Sequence, residues 1–188
     1  MRLALTRHGQ TDWNAQGRFQ GSSDVPLNDT GRGQATEAAL RFDGSEWHAV
    51  VSSPLSRAEE TARILAAELG IGFRGTYPDL AERDYGEAEG VRESDARERW
   101  AADAFPGLEP REAVAARGLR ALDRLAADLP GQRVIVVAHG TLIREILRRL
   151  ASADIPPILN AATSLIEREG TDRGWRVLTV NDHELSAV

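Results

Sequence analysis

The chain has 188 residues, of which 41% are hydrophobic and 28% charged, and this balance predicts a globular protein rather than a disordered one. The formal net charge of −6 argues against a nucleic-acid partner, because surfaces that bind nucleic acid are basic. All 23 basic residues are arginines and there is no cysteine, which excludes lysine chemistry, thiolate nucleophiles, disulfides and cysteine-bound metals.

The chain shows no targeting or membrane signal. The N-terminal residues contain no apolar stretch as long as the core of a signal peptide, and no run approaches membrane-spanning length. We therefore expect a cytoplasmic protein that does not contact membranes. The sequence does not decide the oligomeric state, so a homodimer is kept as one alternative.

The first predicted strand is the apolar run 3–5, which stops at Arg7-His8-Gly9. The next predicted element is a helix that follows Gly31-Arg32-Gly33. Its apolar positions recur at i, i+3, i+4 and i+7, as on one face of a helix. These positions are Ala35, Ala38, Ala39 and Phe42.

The segment 48–52, HAVVS, predicts a second strand because it is short and rich in β-branched residues. Ser53 and Pro54 follow it, and they suit the N-cap and the first position of a helix. Apolar residues at helical spacing continue that helix to Gly70, which suits its C-terminal end.

The second half of the chain continues this alternation. The stretch 91–108 is rich in charge and contains Pro106-Gly107, so we expect a lid or surface excursion there. A helix is predicted from about 110 to 129. RVIVVA at 133–138 is apolar throughout, which is typical of a strand covered on both faces.

The last predicted helix carries an apolar stripe over 142–150, and Pro156-Pro157 interrupts the chain after it. TSLIE at 163–167 and WRVLTV at 175–180 are then predicted as two closing strands. Because strands alternate with helices along the chain, we expect an α/β layered fold with a mostly parallel sheet.

Three predicted strands end in residues that carry chemistry. The first ends at Arg7-His8-Gly9, the second at Ser52-Ser53-Pro54 with Arg57 one turn further on, and the third at His139-Gly140-Thr141. Ligands of open α/β sheets bind beyond the carboxyl ends of the strands. If these strands are neighbours, two arginines and two histidines meet at one edge of the sheet.

Arg57 stands where a helix favours negative charge, because the N–H groups of the first turn carry partial positive charge. A cation at this position costs about 0.3–1 kcal/mol unless an anion binds beside it. Phosphate suits an arginine well. The alternatives are an ion pair between Arg57 and Glu60 and, for His139, a buried ring bonded to a backbone carbonyl.

Five segments, taken in this order, resemble the histidine phosphatase superfamily, and most closely its phosphoglycerate-mutase-like branch. The segments are LTRHGQTDWNAQGRFQG (5–21), VPLNDTGRGQA (25–35), SSPLSRAEETA (52–62), LAERDYGEAEG (80–90) and VVAHGTLIREIL (136–147). The resemblance implies a three-layer αβα sandwich around a mostly parallel sheet. It also implies a single domain over residues 1–188, with a short lid around 83–111.

The resemblance implies a role for each matched residue. His8 matches the nucleophile that becomes a phosphohistidine, and Glu82 matches the proton donor to the leaving group. Taken alone, Glu82 could instead be a solvated surface carboxylate, and Glu87 and Glu89 are expected at the surface. The other matched residues imply contacts with the phosphoryl group or the substrate, and they are Arg7, Asn14, Gln20, Gly21, Arg57, His139 and Gly140.

These matches favour a metal-independent phosphatase that needs no cofactor and acts on small phosphorylated metabolites. Gln10, Tyr85 and Ala88 depart from the usual glutamate, phenylalanine and tryptophan, and none of them touches the implied chemistry. The interval between Glu82 and His139 is short and contains no lysine, which favours hydrolysis over mutase action. The alternatives are a cofactor-dependent phosphoglycerate mutase and a catalytically idle adaptor that binds phosphorylated ligands.

Overall fold

The structure is a computed structural model that describes residues 1–101, 104–170 and 174–184. The strands are β1 (Arg2–Arg7), β2 (Ala49–Ser52), β3 (Gly72–Thr76), β4 (Arg133–Ala138), β5 (Thr163–Glu167), β6 (Arg176–Val177), β7 (Thr179–Val180) and β8 (His183–Glu184). The helices are α1 (Asp12–Ala15), α2 (Asp29–Ala39), α3 (Ser56–Leu69), α4 (Glu93–Arg99), α5 (Arg111–Asp128) and α6 (Gly140–Ala151). Residues 102 and 103, which belong to the predicted lid, lie outside the described residues.

The central sheet has the order β3-β2-β4-β1-β5-β6 over the described residues. Strands β3, β2, β4 and β1 are parallel to one another, whereas β5 is antiparallel to β1 and β6 is antiparallel to β5. The register places Arg2 opposite Arg133 and Arg7 opposite Ala138. The prediction of a mostly parallel sheet is confirmed, and the antiparallel pairs all lie on one side of it.

Helices cover both faces of the sheet, and β4 shows this best. Its side chains alternate between two apolar cores. Val134 and Val136 pack in a core with residues of α5 and α6, whereas Ile135 and Val137 pack in a core with residues of α2 and α3. All four valine and isoleucine side chains are fully buried. The three-layer arrangement is therefore confirmed.

Helix α2 begins earlier than predicted, at Asp29, so it includes the glycines that were expected to precede it. Asn28 is its N-cap and accepts a hydrogen bond from Gly31 N–H at 2.8 Å, which offsets the low helix propensity of glycine. Gly31 is needed because the helix packs directly on the backbone after β1. A Cβ placed there would lie 2.1 Å from the carbonyl oxygen of Gln10.

Helix α3 begins at Ser56, so the prediction that Ser53 caps it with Pro54 as its first residue is wrong. The Ser56 N–H donates to the carboxylate of Asp24 at 2.8 Å. The cap therefore comes from a loop more than thirty residues away in the chain, and the Ser53 hydroxyl is free to act elsewhere. The predicted C-terminal end at Gly70 is confirmed, because Gly70 adopts the left-handed conformation with φ 65°.

Two strand predictions differ from the structure. The segment 175–180 is not one strand: Arg176–Val177 pairs with β5, and Thr179–Val180 pairs with β8. The chain turns back at Asn181 and Asp182, which both have positive φ, and this turn draws the second piece into a separate hairpin. Strand β3 was not predicted, because its two glycines lower the β propensity of the segment.

The segment between β3 and α5 packs as a small unit against the loop that precedes α2. Ala88, Ala96 and Phe105 are its buried centre, and Phe19 and Tyr85 pack against them. Among the described residues, no helix combines the length and the apolar character needed to cross a membrane.

Candidate active site

The predicted site residues Arg7, His8, Arg57 and His139 lie at or shortly after the carboxyl ends of three neighbouring parallel strands. Strand β4 lies between β1 and β2 in the sheet. Backbone hydrogen bonds continue past the strand ends: His8 N–H donates to the Ala138 carbonyl at 3.0 Å, and Ser53 N–H donates to the Val137 carbonyl at 2.9 Å. The predicted convergence of the three strand ends is therefore confirmed.

His8 is 3% exposed, and its ring centroid lies 5.1 Å from that of His139. Its Nδ1 lies 2.6 Å from the carbonyl oxygen of Gly9. Because a carbonyl only accepts, we assign the proton to Nδ1, which leaves the lone pair on Nε2. Burial lowers the pKa of His8 well below 6.5, and the charges of Arg7 and Arg57 lower it further. The ring is neutral at pH 7, which is the nucleophilic form of imidazole.

His139 is the N-cap residue of α6 and is fully buried. Its Nε2 lies 2.8 Å from the hydroxyl of Ser53, so the alternative of a bond to a backbone carbonyl is wrong. The same hydroxyl accepts the Leu55 N–H at 3.3 Å, and we assign its own proton to Nε2, which is its other hydrogen-bond partner in the described chain. His139 then carries its own hydrogen on Nδ1. Burial, followed by the charge of Arg57, lowers the pKa of His139 well below 6.5.

Arg57 has no exposed surface, although it lies in the first turn of α3. Its guanidinium donates to the carbonyl of Gly21 at 2.8 Å and to the carbonyl of Ser23 at 2.9 Å. Burial lowers the pKa of Arg57 to about 10, so the side chain stays charged at pH 7. The alternative ion pair with Glu60 is wrong, because Glu60 pairs with Arg32 at 2.7 Å.

Arg7 lies against the start of α6. Its Nη1 donates to the carbonyl of Ile158 at 2.7 Å. A Cβ placed at Gly140 would lie 3.2 Å from the Nε of Arg7, closer than most such contacts, so glycine keeps room for the guanidinium. Burial lowers the pKa of Arg7, and the carboxylate of Glu82 opposes that effect.

Three nitrogen atoms around His8 have no hydrogen-bond partner. They are Arg7 Nε, Arg57 Nε and His139 Nδ1, and they are three of the five buried unpartnered side-chain atoms in the described part of the chain. A buried donor without a partner costs about 1–3 kcal/mol. Because three such donors gather around one imidazole, the arrangement suits an anion with several acceptor oxygens.

Glu82 is buried, with 9% of its surface exposed, so the alternative of a solvated surface carboxylate is wrong. Its Oε1 accepts the N–H groups of Arg83 at 2.8 Å and Leu142 at 3.0 Å, and its Oε2 accepts the N–H of Thr141 at 3.0 Å. Thr141 and Leu142 belong to the first turn of α6. The positive end of this helix therefore holds the carboxylate at the edge of the sheet where His139 lies.

A cavity of about 320 Å³ opens beside these residues. Its lining includes the predicted residues Arg7, His8, Asn14, Gln20, Glu82 and Gly140. Asn14 donates to the Oε1 of Gln20 at 3.3 Å. Arg57, His139 and Gly21 are not on the lining, and Gly21 instead supports the guanidinium of Arg57.

The sequence model of the family described as histidine phosphatase superfamily (branch 1) matches residues 3–183. The chain belongs to this superfamily. The resemblance predicted from the five segments is therefore confirmed.

Relatives of this histidine phosphatase include phosphatases and mutases. The phosphatase PhoE of Bacillus subtilis is 34% identical over 187 residues, covering 96% of this chain and 95% of PhoE. A 2,3-bisphosphoglycerate-dependent phosphoglycerate mutase of Parvibaculum lavamentivorans is 35% identical over 192 residues, covering 92% and 91%. The solved structure of a mycobacterial glucosyl-3-phosphoglycerate phosphatase with VO3 superposes with a TM-score of 0.86 at 30% identity, covering 96% and 98%. The predicted enzyme class, a phosphatase, is confirmed.

The outer wall of the cavity in this histidine phosphatase is rich in arginine. Arg18, Arg97 and Arg144 line it, with Glu93 as the acidic side chain among them. Arg97 lies 3.5 Å from the carboxylate of Glu93. A second cavity of about 520 Å³ adjoins the first and shares Arg97, Arg144 and Glu93 with it. Its walls also carry aromatic rings, those of Phe19, Tyr85, Trp100 and Phe105.

Sequence reasoning missed several residues of the site. Ser53 was assigned to a helix cap. Asn160 lies in a loop without any pattern, yet its amide donates to the His8 carbonyl at 3.1 Å. Arg144 could have been found, because it lies three residues after Thr141 on the same face of α6. Glu89 was expected at the surface, whereas it is partly buried and bonded to the loop that holds Arg57.

Proposed function

We propose that this protein is a metal-independent phosphatase that hydrolyses phosphomonoesters of small metabolites through a phosphohistidine on His8. The observation that carries the proposal is the neutral imidazole of His8, whose Nε2 has no proton and therefore a free lone pair. Unpartnered donors of Arg7, Arg57 and His139 surround it. Phosphoryl transfer requires a positioned nucleophile and positive charge around the phosphoryl oxygens, and this site offers both.

In the first step, Nε2 of His8 attacks phosphorus, and the bond from phosphorus to the alcohol oxygen breaks. Arg7, Arg57 and His139 donate to the phosphoryl oxygens. The departing oxygen takes a proton from Glu82. Three backbone N–H donors fix the position of the Glu82 carboxyl group that supplies this proton.

In the second step, water attacks phosphorus on phospho-His8. The ionised carboxylate of Glu82 accepts the proton from this water, and the bond from Nε2 to phosphorus breaks to release inorganic phosphate. The same carboxyl group thus acts first as acid and then as base, and the cycle returns His8 to its neutral form.

We further propose that the alcohol part of the substrate carries a second anionic group. Arg18, Arg97 and Arg144 line the cavity on its outer side, where this part of the substrate would lie. The mutase and the mycobacterial phosphatase described above are both named for phosphoglycerate, which carries a carboxylate. An acidic metabolite of this size fits the cavity and its charge.

Mutase action is the second candidate, because a relative of this activity is 35% identical. A mutase must keep its phosphohistidine from water until the product rebinds. The cavity beside His8 is open on its outer side, and the chain lacks any lysine. Hydrolysis is therefore favoured. An idle adaptor is disfavoured, because the nucleophile, the proton donor and the three phosphoryl-binding residues are all present.

The test is phosphate release from a panel of phosphorylated metabolites in the presence of a chelator, together with detection of acid-labile, base-stable phosphate on the protein. We expect turnover by the wild type and no turnover or labelling after His8→Ala. His183→Ala is the matched control, because His183 is an exposed histidine far along the chain in β8. Activity that survives His8→Ala would refute the proposal, and conversion of 3-phosphoglycerate with added bisphosphoglycerate but no phosphate release would establish the mutase.

A further inference from the structure

Glu89 holds a loop of the protein through an unusually complete set of hydrogen bonds. Its Oε1 accepts the Ser22 N–H at 2.7 Å and the Ser22 hydroxyl at 3.1 Å, and also the Tyr85 N–H at 3.3 Å. Its Oε2 accepts the Ser23 N–H at 2.8 Å and the Ser23 hydroxyl. Burial alone would raise the pKa of Glu89, but these donors, Ser23 first, lower it overall. Glu89 is therefore a carboxylate at neutral pH, and both of its oxygens accept hydrogen bonds from the loop.

The opposite side of the same loop holds Arg57. The carbonyl groups of Gly21 and Ser23 accept hydrogen bonds from its two terminal nitrogens. The Gly21 carbonyl and the Ser22 N–H belong to one peptide unit, and the trans geometry of that unit points them in opposite directions. One peptide group therefore lies directly between the Arg57 cation and the Glu89 anion, with each end of its dipole facing the charge that it favours.

The fit between this loop and Glu89 is close. A Cβ placed at Gly21 would lie 2.1 Å from the Oε1 of Glu89 and 2.6 Å from the carbonyl oxygen of Arg83. The position therefore accepts only glycine while the carboxylate stays where it is. Together with the four hydrogen bonds from Ser22 and Ser23, this packing leaves the loop little freedom to move relative to Glu89, and so little freedom to release Arg57.

We propose that Glu89 is a positioning residue, which fixes the guanidinium of Arg57 through the loop 21–23 and thereby sets how strongly the site binds the phosphoryl group. The inference rests on the proposed phosphatase function. It goes beyond that function because Glu89 touches neither the cavity nor the reacting atoms. Glu89 acts on phosphate only through Arg57.

The test is a double-mutant cycle with Glu89→Ala, Arg57→Ala and the double variant. The readouts are kcat and KM for 4-nitrophenyl phosphate and the inhibition constant of orthovanadate. We expect Glu89→Ala to reduce kcat/KM and vanadate affinity by about 10- to 100-fold, since misplacing a catalytic group by about 1 Å can cost that much. In the Arg57→Ala background, Glu89→Ala should alter either quantity less than about twofold. The two residues act through one shared interaction, and Arg57→Ala has already removed it.

Additive losses in this cycle would overturn the inference, since they would show that Glu89 acts independently of Arg57. A Glu89→Ala protein with unchanged kinetics would overturn it as well. Glu87→Ala is the matched control, because Glu87 is an exposed glutamate two residues away. If Glu89→Ala does not fold, Glu89→Gln, which keeps the size of the side chain, replaces it in the cycle.

Binding of inorganic phosphate, measured by calorimetry, separates this inference from the proposed function. The same cycle can be read from phosphate affinity even in a protein without turnover. Loss of phosphate affinity after Glu89→Ala in the wild type, absent in the Arg57→Ala background, supports the positioning role whether or not hydrolysis occurs. Equal phosphate affinity in all four proteins overturns it, whatever the turnover.

Discussion

The inner part of the site, around His8, and its outer part, at the arginines of the outer cavity wall, are built differently. Around His8, the arginine and histidine side chains are held by backbone carbonyls or by one hydroxyl, as Arg57, with 0% exposure, is held by the Gly21 carbonyl. On the outer side, Arg97 keeps 75% of its side chain exposed and is held by one long contact to Glu93. Fixed donors suit a transition state, because they need no rearrangement when charge develops. Exposed arginines lose side-chain entropy on binding, and they suit recognition of a variable substrate.

The two parts also differ in charge. In the inner part, the arginines are charged while both histidines are neutral, because burial and the neighbouring guanidinium groups lower their pKa values. The neutral histidines keep one lone pair for attack and one N–H for an oxygen. In the outer part, the three arginines outnumber Glu93, the acidic side chain among them. The comparison predicts that changes in the inner part affect every substrate, whereas changes in the outer part affect acidic substrates alone.

The largest expected effect is the dependence of stability on pH that the inner histidines cause. Below about pH 6.5, the unfolded chain binds protons at His8 and His139, whereas the folded protein does not until the pH reaches the lowered pKa values. Stability is therefore complete above pH 6.5 and is lost as the pH falls below it. Each histidine contributes about 1.4 kcal/mol per pH unit to this slope.

Urea unfolding at pH 7.5, 6.5, 5.5 and 5.0 measures the slope. His139→Gln should remove about half of it between pH 6.5 and 5.0, where most carboxylates stay ionised. His183→Gln serves as the control and should leave the slope unchanged, because His183 is exposed. An unaltered slope in His139→Gln would show that His139 is not held neutral, and the contrast between the two parts would fail for that residue.

A feature of the fold or the site could be predicted from the sequence when the residues that form it are close together in the chain or follow a regular pattern. The meeting of Arg7, His8, Arg57 and His139 was predictable, because parallel strands bring their carboxyl ends to one edge. The start of α3 was not predictable, because Asp24 caps it from a loop distant in sequence. The local signal at Ser53 was real, since a serine before a helix commonly caps it, but His139 takes that hydroxyl instead.

The importance of Glu89 could not be predicted for the same reason. In the sequence it is one carboxylate among several in a charged stretch, and only the fold brings the loop 21–23 onto it. Gly21 carried a weak signal, because a glycine can mark a place where the chain packs closely. Among the outer arginines, Arg144 carried a signal in its place three residues after Thr141 on α6, whereas an arginine-rich chain offers no means of choosing Arg18.

The second prediction concerns Ser53, which sharpens the account of the inner part. Ser53→Ala removes the hydroxyl that fixes the tautomer of His139, so we expect kcat for 4-nitrophenyl phosphate to fall about tenfold, as it does when a supporting partner of a ligand histidine is lost. Imidazole ¹⁵N shifts should show a mixture of His139 tautomers. Ser52→Ala is the control, because the buried hydroxyl of Ser52 has no partner in the described chain. Equal effects of the two variants would point to packing rather than tautomer control.

The smallest expected effect lies in the outer part, at Arg144. This side chain lines both cavities and is anchored by its Nε to the Ile155 carbonyl at 2.5 Å, which leaves its terminal nitrogens toward a substrate or Asp154 at 3.8 Å. For Arg144→Gln, we expect kcat/KM for 3-phosphoglycerate to fall about five- to tenfold, or about 1–1.4 kcal/mol, which is the value of one typical hydrogen bond. The kcat/KM for glycerol 3-phosphate, which has a neutral group in place of the carboxylate, should change less than about twofold, because Arg144 has no carboxylate to bind there.

Arg149→Gln is the control for this prediction. Arg149 is an exposed arginine of the same helix outside both cavities, so the change should affect neither substrate. An equal loss for both substrates would mean that Arg144 supports the fold around Ile155 rather than selecting an acid, and the division between the two parts would then lie further out.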